Sequence, residues 1–123
     1  MSGQGYRDLI AWQKAMDMCQ AVYRISADLP DEEKFGLRSQ LQRASVSIPS
    51  NIAEGHARGS KKDYARHLGY ALGSLAEVET QLEIAVRVGA LERDLVRDAW
   101  ALCQETGKLV TRLRQSLTRD SSS

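Results

Sequence analysis

The chain is predicted to be all-α, an antiparallel up-down-up-down four-helix bundle with helix two kinked near Pro49, and three observations carry that prediction. Aromatic residues make up only 6% of the sequence while Ala, Leu, Arg, Gln and Glu abound, which favours helices over sheets. Apolar residues recur at alternating steps of three and four along four long stretches. Short segments bearing Pro or Gly separate those stretches. With 123 residues, 42% hydrophobic and 27% charged, the chain has the size and composition of one core. The bundle is expected over residues 8–117, after a flexible 1–7 and before a disordered tail at 118–123.

Helix one is expected over residues 8–27, with Leu9, Trp12, Met16, Cys19, Tyr23 and Ser26 as its buried stripe. It ends before Leu29-Pro30, because proline disfavours helix at the residue preceding it. Asp31, Glu32 and Glu33 then supply acids where a helix start welcomes them. Helix two, 36–57, carries Leu37, Leu41, Ala44, Ile48 and Ile52. Pro49 removes an amide donor from its middle, so a kink or short break is expected around Val46 to Pro49. Gly55 and Gly59 are read as its end.

Ser60 is the expected N-cap of helix three, with Asp63 completing a pair like a capping box. Leu68, Leu72, Leu75, Val78 or Glu79, Leu82 and Ala85 extend its stripe to Gly89, about 42 Å of helix over 61–88. Helix four, 92–117, repeats Leu95, Ala99, Leu102, Thr106, Leu109, Leu113 and Leu117.

Composition and motifs exclude more than they identify. A formal net charge of +1 gives no strong overall field toward nucleic acid or an anionic membrane, so any basic site must be local. No basic segment followed by an apolar stretch opens the sequence, and no apolar run has spanning length. The expected location is the cytoplasm, with Cys19 and Cys103 reduced in the core. Cys19, Cys103, His56 and His67 are scattered without metal-ligand spacing, and the histidines are read as surface residues. No Glu-x-x-His pair, phosphate-binding glycine loop or serine-nucleophile elbow is present. Neither catalysis, nor a metal, nor a cofactor is expected.

One segment stands apart. Ser47, Asn51, Glu54 and Arg58 follow at steps of four, three and four, forming a polar stripe beside the apolar one. Two readings are open: a recognition surface, or side chains that satisfy backbone groups freed by Pro49 while Glu54 pairs with Arg58.

The run Gln40-Leu41-Gln42-Arg43-Ala44-Ser45-Val46-Ser47-Ile48-Pro49-Ser50-Asn51-Ile52-Ala53-Glu54-Gly55 resembles the hallmark of the four-helix-bundle proteins encoded in 23S rRNA intervening sequences. Ala11-Trp12-Gln13-Lys14-Ala15, Leu29-Pro30 and the run from Gly73 to Leu82 agree in order, so the resemblance covers Tyr6 to Leu117. It marks Ser47, Pro49, Asn51, Glu54 and Gly55 as family-motif residues with a structural role. It implies a small bacterial bundle that assembles as a ring, a homopentamer. The same superfamily includes the accessory variability determinant of diversity-generating retroelements, a strongly basic pentamer that binds nucleic acid and a reverse transcriptase. RNA or DNA, and a reverse transcriptase or other protein, are therefore the partners the resemblance implies.

Charge is uneven along the chain. Between residues 38 and 67, Arg38, Arg43, Arg58, Lys61, Lys62 and Arg66 face only Glu54 and Asp63. From residue 106 onward, Lys108, Arg112, Arg114 and Arg119 face only Asp120, whereas residues 74–105 are acidic. Arg58, Lys61, Lys62 and Arg66, with Arg43 beside them, are the candidate phosphate contacts, and Tyr64 and Tyr70 are candidate stacking faces or packing residues. Gly69 and Gly73 mark a smooth strip for a close helix neighbour, within the bundle or in another subunit. Ile10, Val22, Ile25, Ile84, Val86 and Val110 lie off the expected stripes and read as surface that a ring would bury. The alternative to nucleic-acid binding is a protein-binding ring scaffold using the acidic stretch from Glu77 to Asp98.

Overall fold

A computed structural model describes residues 5–33 and 36–121. A 3-10 turn at Gly5–Asp8 leads into α1 (Ile10–Ser26), and a second, Asp31–Glu33, precedes α2 (Leu37–Ala57). Helices α3 (Lys61–Arg87) and α4 (Arg93–Ser121) complete the chain. No strand occurs among the described residues, and none of their helices is long and apolar enough to cross a membrane. Each helix packs on its neighbours in sequence and α1 closes against α4, so four apolar faces enclose one core. Cross-helix partners move in opposite directions along the chain. Ser47 of α2 meets Ser74 of α3 and Asn51 meets His67; Gln104 of α4 meets Glu79 of α3 and Arg114 meets Ala65.

Helices α2 and α3 largely bury the faces their spacing predicts, Leu37, Leu41, Ala44, Ile48 and Ile52 on α2 and Leu68, Leu75, Val78, Leu82 and Ala85 on α3, while Leu72 of the expected stripe is only half-buried and Ala71 is core. Helix α1 differs. Its core face is Ala11, Ala15, Met18, Val22 and Ile25, while Met16 and Tyr23 of the expected stripe are exposed and Trp12 and Cys19 are half-buried. Both stripes have helical spacing; the small Ala11 and Ala15 let α1 approach its neighbours closely, and this rotates the larger residues outward. Val22, Ile25 and Val110, expected at the surface, are therefore core, whereas Ile10 and Ile84 are exposed. In α4 the deepest residues are Val96, Ala99, Cys103, Thr106 and Val110, flanked by the half-buried Leu102, Leu109 and Leu113. Leu95 is exposed.

Of the kink or short break expected around Val46 to Pro49, the break does not occur. Helix α2 is continuous through Pro49, which is itself buried between Ile48 and Ile52. The proline removes one rung, the bond to the Ser45 carbonyl, and burial of both flanking turns holds the helix together. Gly55 lies within the last turn rather than ending it, and Gly59, at φ +77°, makes the turn into α3. Ser60 caps α3 by accepting the Asp63 amide at 3.2 Å, while the Asp63 carboxylate pairs with Arg66. At the start of α2 the Leu37 amide donates to Glu33 Oε1 at 3.3 Å. Helix α4 runs on to Ser121, past the end expected at Leu117, and Gly5–Asp8 is a turn packed on α1 and α2. The rest of the expected flexible ends, 1–4 and 122–123, lies outside the described residues.

Two features of this architecture are directly testable. A Cβ at Gly55 would stand 2.7 Å from His67 Cβ, whereas one at Gly73 meets nothing within 4 Å. Gly55→Ala is expected to lower stability by about 1–3 kcal/mol through overpacking, and Gly73→Ala to raise it by up to about 1 kcal/mol through helix propensity, both read by chemical denaturation. Glu83 clamps the α3–α4 turn by accepting from Arg93 at 3.1 and 3.0 Å and from Arg87 at 2.8 Å. The Arg93 guanidinium, then Arg87, holds its carboxyl down to about 2. A carboxyl whose folded value is depressed stabilises the fold above the ordinary carboxylate range and loses that effect as pH falls toward the folded value. The melting-temperature gap between the wild type and Glu83→Gln is therefore expected to be constant near neutrality and to close between the ordinary range and about pH 2.

Candidate nucleic-acid interface and the polar seam beside it

The motif segment meets α3 through side-chain hydrogen bonds. Ser47 Oγ lies 2.8 Å from Ser74 Oγ, and Asn51 Nδ2 donates to the Ser47 carbonyl at 2.9 Å and to Ser47 Oγ at 3.1 Å. Because a carbonyl only accepts, that contact fixes the amide orientation and turns Asn51 Oδ1 toward His67 Nδ1, 3.0 Å away. Oδ1 also only accepts, so His67 Nδ1 carries the proton and donates it.

His67 is 6% exposed, which corrects its reading as a surface histidine. Its spacing from Tyr64 and Ala71 placed it beside the core stripe, a signal present in the sequence. His67 Nε2 is buried without a hydrogen-bond partner and lies 3.9 Å from Glu54 Oε2, which accepts from Arg58 Nη2 at 3.0 Å. The seam thus reads Ser74, Ser47, Asn51, His67, Glu54 and Arg58, with Ser74 and His67 from α3 and the others from α2 and its C-cap.

Both expected roles of the polar stripe are modified by this geometry. Glu54 does pair with Arg58, but Asn51 bonds the Ser47 carbonyl, not the Ser45 carbonyl that Pro49 leaves without its rung. Ser47 bonds across to α3. Gly55 completes the motif by bringing α3 against α2, with Tyr64 and His67 directly over it. Tyr64 is half-buried there, its ring edge-on to His56 at 5.6 Å, and burial raises its hydroxyl pKa. Tyr70 is 53% exposed and sits edge-on to His67 at 5.4 Å.

Arg58, Lys61, Lys62 and Arg66 gather around the α2–α3 turn, all exposed, with Arg58 paired to Glu54 and Arg66 to Asp63 at 3.0 Å. Arg43 is exposed on α2 about 22 Å along the axis from Arg58 and does not join them. The missing members come from α4. Arg114 lies over Gly69 and donates Nε to the Ala65 carbonyl at 3.1 Å, so the smooth strip at Gly69 is covered from within the chain while Gly73 stays open. Arg114 and Arg119 line a surface groove of about 620 Å³ floored by Leu72. Two basic stretches far apart in sequence therefore share one end of the bundle. The opposite end carries Asp28, Asp31, Glu32 and Glu33 on one turn and Glu92, Asp94 and Asp98 beside the other. Cys19 and Cys103 are both free; burial, then Glu79, pushes the Cys103 thiol up to about 12. Among the described residues, no group of three or more His, Cys, Asp or Glu could hold a metal ion.

A bundle whose second and third helices are laced by this motif defines a class of small all-α protein. The sequence model for 23S rRNA-intervening sequence proteins matches residues 7–112, and the chain belongs to that family. A solved structure similar in fold is that of a protein of unknown function from the S23 ribosomal protein family of Bacteroides thetaiotaomicron. The two share 24% identity over 86% of this chain and 96% of that one, with a TM-score of 0.79. No curated protein matches the chain.

The seam makes its own prediction. Asn51→Ala strips partners from the Ser47 hydroxyl and from buried His67 and is expected to cost about 1–3 kcal/mol in urea denaturation, against about 1 kcal/mol for Ser74→Ala, which removes only the outer contact.

Proposed function

We propose that the chain is a non-enzymatic, oligomeric nucleic-acid-binding protein that engages RNA or DNA through the basic end of its bundle. Arg58, Lys61, Lys62 and Arg66 are the phosphate contacts, and Arg114 and Arg119 extend the patch. The observation that carries this reading is the convergence of the α2–α3 turn with the last turns of α4. In a chain of net charge +1, attraction to a polyanion must come from local concentration of cations, and this end has it. Arg43 is left out of the contact set because of its distance from the corner.

Self-association rests on the second stripe of α1. Met16 and Tyr23, 40% and 44% exposed, line a surface groove with Cys19, Gln20 and Arg24, and Val46 of α2 is exposed as well. Another subunit is the occupant that fits the family resemblance, in which the copies form a ring, a pentamer. A ring would repeat the basic end and let modest phosphate contacts add. A reverse transcriptase or other nucleic-acid enzyme as partner is supported by the resemblance alone.

The rival reading, a scaffold that binds a protein through its acidic stretch, is less favoured by the contacts there. Glu83 is already engaged by Arg87 and Arg93, and Asp94 by Arg97, so these two carboxylates of the stretch are already paired within the chain.

Fluorescence anisotropy with structured RNA and duplex DNA tests the proposal. Engagement of four cations predicts affinity falling about 50- to 150-fold between about 50 and 200 mM salt. The variant K61E/K62E/R66E is expected to abolish binding with an unchanged helical circular dichroism spectrum. Unchanged affinity overturns the assignment, and a shift in assembly mass without loss of affinity supports the scaffold.

A further inference from the structure

We infer that Tyr70 is a base-stacking platform and that the nucleic acid taken by the basic end is single-stranded; this rests on the preceding reading of that end. Lys62, Arg66, Tyr70 and Gly73 follow at steps of four, four and three, one line along the solvent face of α3, and all four are exposed. Two cations thus lead to an aromatic ring, and beyond it the backbone at Gly73 is bare, with nothing within 4 Å of where a side chain would begin.

The ring is also held. Tyr70 packs edge-on to His67, which is buried and tied through Nδ1 to Asn51, itself anchored on the Ser47 carbonyl. A half-exposed ring with such a backing loses less freedom on binding than one on a loop. Among the described residues the other aromatics do not offer this: Tyr6 and Trp12 are half-buried edge-on to each other at 5.3 Å with Arg7 over Trp12, Tyr64 is packed over Gly55, Tyr23 lies on α1, and Trp100 lines grooves with Glu83 toward the acid-rich end.

A duplex keeps its bases stacked on one another, out of reach of a ring on a rigid helix, whereas unpaired bases stack on exposed aromatics regardless of sequence. Cations in line with such a ring match the backbone-and-base pattern of a single strand.

The test is anisotropy at low salt with labelled oligouridine, oligothymidine and a duplex of equal length, using the full chain, Tyr70→Ala, Tyr70→Phe and K62E/R66E. The wild type is expected to prefer the single strands. Tyr70→Ala is expected to weaken them about 5- to 150-fold while leaving the duplex unchanged, and Tyr70→Phe to bind as the wild type does. Weakening of either single strand upholds the proposal, and the more affected one identifies the sugar. If Tyr70→Ala has no effect while K62E/R66E abolishes binding, stacking falls and the basic-end reading stands. If the wild type binds none of the three, both fall. If Tyr70→Ala weakens all three equally and changes the sedimentation mass, Tyr70 is a subunit contact and the proposal is overturned.

Discussion

The close approach of α2 and α3 at Gly55 is the constraint on which the rest of the molecule depends. Without a side chain at that position, Tyr64 and His67 lie directly on the α2 backbone. Only at that separation can Asn51 reach His67 at 3.0 Å and Ser47 reach Ser74 at 2.8 Å. These bonds set the register of the two helices, and the register carries the α2–α3 turn, its cations and the Tyr70 ring into place. A buried polar contact costs free energy when half-made, so a seam of this kind disfavours slipped or rotated packings that a purely apolar interface would tolerate.

The same physics gives Pro49 a place. A proline in the interior of an exposed helix would cost about 3 kcal/mol, yet here the residue is buried and the turns on both sides are pinned, by Ile48 and Ile52 on the core side and by Asn51 on the α3 side. Continuity of α2 is a tertiary effect, which is why the short break that propensity alone would allow does not form.

What could be read from the sequence follows from how many apolar stripes each helix carries. Helices α2 and α3 have one clear stripe each, and most of their apolar core was legible, although Leu72 is only half-buried and Ala71 takes the deeper place beside it. Helix α1 has two, offset by one residue or about 100° around the axis, and nothing in spacing says that Ala11 and Ala15 rather than Trp12 and Met16 face inward. The choice depends on the distance to neighbouring helices, a property of the assembled fold. The four cations at the α2–α3 turn were legible because they are neighbours in sequence. Arg114 and Arg119 were visible as charge but not as members of the same patch, since their place depends on how α4 runs along α3. His67 was hidden by its chemistry: a polar residue beside an apolar stripe reads as surface until its partner, Asn51, is known to lie opposite.

The separation of charge between the two ends of the bundle has a consequence for how the molecule travels. Opposite charges at the two ends of an elongated body of nearly zero net charge form a dipole along its long axis, and the field of a polyanion exerts a torque on that dipole rather than a pull on the centre. Under the proposed function, the molecule turns before it touches, basic end foremost. Orientation, usually the slow part of a diffusional encounter, is then solved at a distance set by the Debye length. Added salt shortens that distance and slows productive landing even where the final contacts are unchanged.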